Sequence, residues 1–97
     1  KDLSLNKYLL FDNYPNPFNP TTRIKYTIPI VEMHSHALVQ LKIYAILGRE
    51  VKTLLSEFKP TGTYEVFFDG GGLASGVYFY QLQAGSFIQT KKMVIIK

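Results

Sequence analysis

Thr22-Arg23-Ile24-Lys25-Tyr26-Thr27-Ile28-Pro29 alternates side chains by type, with Ile24, Tyr26 and Ile28 on one side and Arg23, Lys25 and Thr27 on the other. A period of two belongs to an extended chain with one face buried, because successive Cβ atoms point to opposite faces. The pattern recurs downstream. Between 37 and 46, Val39, Leu41 and Ile43 share one face while Gln40, Lys42 and Tyr44 take the other. Tyr64, Val66 and Phe68 repeat it before Asp69-Gly70-Gly71-Gly72 stops it. Residues 76–84 (GVYFYQLQA) and 87–96 (FIQTKKMVII) are rich in the β-branched and aromatic types that suit a pleated surface. A short strand is expected within 7–11. The stretch 49–56 (REVKTLLS) fits a bulged strand or a short helical turn through Val51, Leu54 and Leu55, and the strand is preferred.

Between these runs lie Leu47-Gly48, Pro60-Thr61-Gly62, the glycines 70–72 and Ala84-Gly85-Ser86, all turn formers. About seven short strands separated by regular turns predict an all-β fold, an immunoglobulin-like antiparallel β-sandwich. Ile43 and Val66 are expected in its core.

Ninety-seven residues suffice for one domain, and 46% hydrophobic against 19% charged residues is a globular balance rather than a disordered one. There is no cysteine, which excludes a disulfide framework, a thiolate zinc site and a thiol nucleophile. The net charge of +4 reads as a mildly basic surface with a local bias: Lys91, Lys92 and Lys97 fall at the end, and no acidic residue follows Asp69. Arg23 and Arg49 are the only arginines and lie far apart, which argues against nucleic acid as a partner. The chain opens on Lys1 without an initiator Met, a signal peptide or an 18-residue apolar span. Residues 1–7 therefore read as a linker remnant of an upstream segment, with 8–97 as the domain.

Asn13-Tyr14-Pro15-Asn16-Pro17-Phe18-Asn19-Pro20 is the least regular stretch. Its prolines cannot donate ladder hydrogen bonds, so it is neither helix nor central strand. It reads as a rigid, extended crossover, with Asx-turns at its asparagines and Tyr14 and Phe18 as anchors into the core.

This motif, continuing through Thr21-Thr22, Ile24-Lys25-Tyr26 and Ile28-Pro29, resembles the opening of the type A C-terminal sorting domains of type IX secretion cargo. Leu41-Lys42-Ile43-Tyr44 with Leu47-Gly48-Arg49-Glu50-Val51 is similar to the family's second block. Gly62-Thr63-Tyr64 through Asp69-Gly70, then Leu73-Ala74-Ser75-Gly76-Val77-Tyr78-Phe79-Tyr80, is similar to the third. Lys91-Lys92-Met93-Val94-Ile95-Ile96-Lys97 is similar to the terminal block with its closing lysine. Departures are Ala45 where the family often has Asp, Phe68 where it often has Trp, and the longer insert Val31–Ala37.

The resemblance implies a removable, non-catalytic address label without a cofactor. Its partners would be the type IX outer-membrane machinery, a sortase-like protease and an upstream cargo in the same chain. The implied location is secreted or on the outer-membrane surface, reached through the periplasm of a Gram-negative bacterium. Lys91–Lys97 is the expected recognition block, since an accessible last strand can pair with a receptor edge; weak self-association by that edge is expected too. The motif Asn13–Pro20, Gly48, Arg49, Gly76 and Tyr78 is expected to be structural.

Glu32, His34 and His36 alternate, so on a strand they would share a face as two imidazoles and a carboxylate suit a metal. A solvated loop is the preferred reading, and no metal is expected. A serine hydrolase would need His34 or His36 with Ser35, Ser75 or Ser86, and no nucleophile motif surrounds any of them. Asp69 lacks the spaced oxygens of a calcium loop and reads as a turn. The alternative function is an accessory structural or carbohydrate-binding module of a secreted enzyme, with Tyr78 and Tyr80 as the sugar-stacking platform in the carbohydrate-binding case.

Overall fold

A computed structural model describes residues 7–30 and 36–97, the side chains of His36 and Ala37 excepted. Alternation becomes pairing. Among the described residues the strands are β1 (Leu9–Leu10), β2 (Thr21–Ile28), β3 (His36–Ala45), β4 (Glu50–Pro60), β5 (Gly62–Asp69), β6 (Gly76–Ala84) and β7 (Phe87–Ile95). One sheet runs β1-β2-β5 and the other β4-β3-β6-β7, with every pair antiparallel. The chain changes sheet between β2 and β3, between β4 and β5, and between β5 and β6. This is immunoglobulin-like connectivity with the fourth strand beside the third, where variable-type domains also add strands.

The buried faces are those the period-two reading selected. Ile24, Tyr26 and Ile28 meet Phe68 from their own sheet and Val39, Leu41, Ile43, Tyr80, Leu82, Ala84, Met93 and Ile95 from the other. Val66 is partly buried against this core. A fully buried side chain of this size contributes about 1.5–3 kcal/mol, and the layer between the sheets is what holds them together.

The stretch at 49–56 is a strand, and a bulged one. Leu41 pairs with Leu55 and Lys42 with Thr53, then Ile43 pairs with Lys52 and Tyr44 with Glu50. The extra residues are Leu54 and Val51, and both pack against the core. Leu54, which strict alternation from Leu55 would have sent out, is thereby turned inward, and Val51 keeps an inward place despite the two register shifts.

Gly48, at φ 96°, lets the β3–β4 turn close, with its N–H bonded to the Ala45 carbonyl at 2.8 Å and Ala45 N–H to the Arg49 carbonyl at 2.8 Å. Asp69 forms the expected turn, its Oδ1 accepting from Gly71 N–H at 2.8 Å.

The expectation for Tyr14 is corrected. Its side chain is 69% exposed, with the Arg23 guanidinium 5.9 Å from its ring centre, whereas Phe18 is 2% exposed. What anchors Tyr14 is its backbone, paired with Arg23 in both directions at 3.0 and 2.9 Å. The Asx-turn reading is also corrected at Asn13. Pro15, two residues on, has no N–H to offer, so the buried Asn13 amide donates instead to Thr22 Oγ1 at 3.0 Å and the Pro15 carbonyl at 3.2 Å. The bonds Tyr14-Pro15, Asn16-Pro17 and Asn19-Pro20 are cis.

Candidate functional site

The sequence blocks singled out above are distant along the chain, and the fold gathers them at one end of the four-stranded sheet. Ala45 pairs with Tyr78 and Tyr78 with Met93, so the end of β3, the start of β6 and the end of β7 lie side by side. Gly76 pairs with Ile95. The β3–β4 turn carrying Gly48 and Arg49 leaves from the same end.

β7 is an edge strand, and its last residues do not present a bare edge. Phe18 N–H donates to the Val94 carbonyl at 3.0 Å and Ile96 N–H donates to the Phe18 carbonyl at 3.0 Å, a short parallel bridge. Val94 N–H donates to Asn16 Oδ1 at 3.0 Å. The Asn13–Pro20 segment therefore straps the terminal block: its Tyr14 end pairs with β2 in one sheet and its Phe18 end with β7 in the other. Thr22 Oγ1 secures the strap by donating to the Pro15 carbonyl at 2.8 Å. The Phe18 ring, buried edge-on to Phe68 at 6.1 Å between centroids, anchors the strap in the core.

Lys97 closes the corner. Its N–H donates to Ser75 Oγ at 3.0 Å and its ammonium donates to the Gly71 carbonyl. Gly70 N–H in turn bonds the Pro20 carbonyl at 2.8 Å. A Cβ on Gly70 would come within 2.9 Å of Ile95 Cδ1 and 3.4 Å of Phe18, so the glycine makes room for strand and strap together.

Within the terminal block, alternation divides the roles. Met93 and Ile95 are in the core. They hold the strand, while Lys92, Ile96 and Lys97 are exposed and Lys91 and Val94 half-buried. Lys91 is not a free cation, since Asp12 Oδ1 lies 3.0 Å from its Nζ.

Tyr78 and Tyr80 form no sugar platform, which removes the basis of the carbohydrate-binding alternative. Tyr80 is fully buried and its hydroxyl donates to the Phe11 carbonyl at 2.7 Å, while the Tyr78 hydroxyl donates to the Ala74 carbonyl at 2.8 Å. Burial, with the Asp12 carboxylate adding to it, pushes the Tyr80 phenol up to about 12. Burial also raises Tyr26, with smaller contributions from Tyr64 and Glu57. Glu32, His34 and the His36 side chain lie outside the described residues, so the metal reading falls there. Ser75 is occupied in the Lys97 contact.

Ser75, Gly70, Gly71 and Asp12 were not singled out as part of the terminal site. Their contacts span from 22 to 79 residues of sequence, and no local pattern announces them.

The family model described as a secretion system C-terminal sorting domain matches residues 12–97. The chain belongs to that family. It is a type IX secretion sorting signal, from a family that is in general not catalytic, and membership implies export to the cell surface or beyond and interaction with the secretion machinery. No curated protein matches the chain.

Proposed function

We propose that residues 8–97 form an address label for a cargo in the same chain, read by the outer-membrane translocon of the type IX system after passage through a Gram-negative periplasm. Removal by a sortase-like protease follows export, and the label itself is no enzyme. Residues 1–7 serve as the link to the cargo. Tyr8 supports that division, because its ring already stacks on Phe87 at 5.1 Å as part of the fold.

The observation that carries this reading is the convergence at the C-terminal corner. The strap, Gly71, Ser75 and Gly76 each contact residues within Val94–Lys97, and Gly70 leaves room for Ile95. An exposed surface lysine gains little stability from such contacts. A fold that merely needed a seventh strand has no use for a pinned Lys97, whereas a label needs its terminal side chains displayed in fixed positions. The recognised face is then Lys92, Val94, Ile96 and Lys97, with Lys91 beside it.

The test is truncation. A Sec-exported fluorescent cargo ending in residues 1–97 should leave the cell in a type IX host, and the same cargo ending at Lys92 should stay in the periplasm. Equal export of both would reject the terminal block as the signal.

A further inference from the structure

The outer edge of β7 is divided. Val94 and Ile96 turn their N–H groups away from β6, toward the strap, and Val94 does the same with its carbonyl. In an antiparallel ladder such outward residues alternate with those bonded to the neighbouring strand. Ile88, Thr90 and Lys92 share that parity, paired across from Gln83, Gln81 and Phe79. All three are exposed, and among the described residues no backbone group meets their outward N–H and C=O. The strap thus covers the edge at 94–96 and leaves it open at 88–92.

We propose that this open edge is a pairing site for an extended, acidic segment of the secretion machinery, which adds as a further strand along Ile88–Lys92 and stops at the strap. The inference rests on the sorting reading above and gives it a register. Main-chain bonds would supply affinity and the side chains of the flanking face specificity, as in other strand additions. Charge selects the occupant. Lys92 is exposed on the outer face, Lys97 lies beyond it, and no acidic residue follows Asp69. A second copy would bring its own exposed Lys92 to this edge without a nearby carboxylate to meet it, since no acidic residue follows Asp69. An acidic strand would supply one. The β4 edge is less suited, since its bulges interrupt the regular spacing and Lys52, Glu57, Lys59 and Pro60 lie along it.

Thr90→Pro isolates the edge. Proline removes an N–H that faces outward, so the ladder to β6 is left whole, and Gln89 before it is already extended. Thr90→Val keeps the N–H and changes only the side chain. In the fluorescent-cargo assay T90P is expected to lower export roughly threefold to tenfold, the effect of one or two main-chain hydrogen bonds, and T90V, which keeps the N–H, is expected to lower it less. Ile88→Pro and Lys92→Glu should lower it as well, and circular-dichroism melts of residues 1–97 establish that each variant folds. Parent-level export of folded T90P and I88P overturns the proposal, as does a T90V defect equal to that of T90P. Should both proline variants fail to fold, unchanged export of K92E overturns it. If sedimentation shows a dimer that T90P abolishes without affecting export, the edge serves a second copy and the proposal falls. Failure of the parent cargo itself, beside a working sorting domain, would instead strike the sorting reading.

Discussion

Phe18 and Tyr14 stand four residues apart in one motif and do opposite things. Phe18→Ala empties a buried site against Phe68 and is expected to cost about 3–5 kcal/mol, whereas Tyr14→Ala removes an exposed ring and should cost under about 1 kcal/mol. Urea titration of both variants measures the difference. The two buried tyrosines separate in the same way. Among the described residues the buried Tyr26 hydroxyl has no partner, so Tyr26→Phe should be neutral or stabilising. Tyr80→Phe strands the Phe11 carbonyl and should cost about 1–2 kcal/mol. Both phenols titrate near 10 in an unfolded chain and higher in the fold. Folding therefore favours their neutral forms. That stability is complete below a pH of about 10 and is lost as pH rises through the folded values, for Tyr80 between about 10 and about 12. Melting temperatures across that range should fall for the parent and fall less for Tyr26→Phe.

At the scale of elements, the strands were legible because burial of one face leaves a period of two in the sequence. Residues 22–29 show this directly, since the alternation read there is the strand observed at Thr21–Ile28, with Thr22, Ile24 and Tyr26 buried and Thr21, Arg23 and Lys25 exposed. The bulges in β4 were legible only as an ambiguity, because Leu54-Leu55 breaks alternation without saying which residue is extra. The strap was read as irregular but not as a cover for β7. That role resides in the backbone of Phe18 and the side chain of Asn16, which meet a strand 76 to 78 residues away through bonds that no local pattern encodes. Proline content excluded regular structure, and only the fold could say what the segment touches. Two predictions belong here. Asn16→Ala should free Val94 N–H and raise its hydrogen-exchange rate by roughly threefold to tenfold with little change at Leu82. Gly70→Ala should press on Ile95 and Phe18 and cost about 1–3 kcal/mol, read in the same urea titration.

The molecule as a whole is a sandwich whose far-apart sequence blocks meet at one corner, and its family is that of secretion sorting domains. Composition and period sufficed for the class of fold, while function came from motifs in order rather than from any reactive group. The corner explains why such motifs are scattered: strap, glycine turn, Ser75 and terminal strand constrain one another only in the folded chain. The most direct test is sufficiency. Residues 8–97 would be joined to an unrelated fluorescent protein that a Sec signal delivers to the periplasm of a type IX host, where it otherwise remains. The account predicts that the fusion reaches the cell surface or the medium. Retention in the periplasm, with the domain intact and a known sorting domain exported alongside, would contradict it.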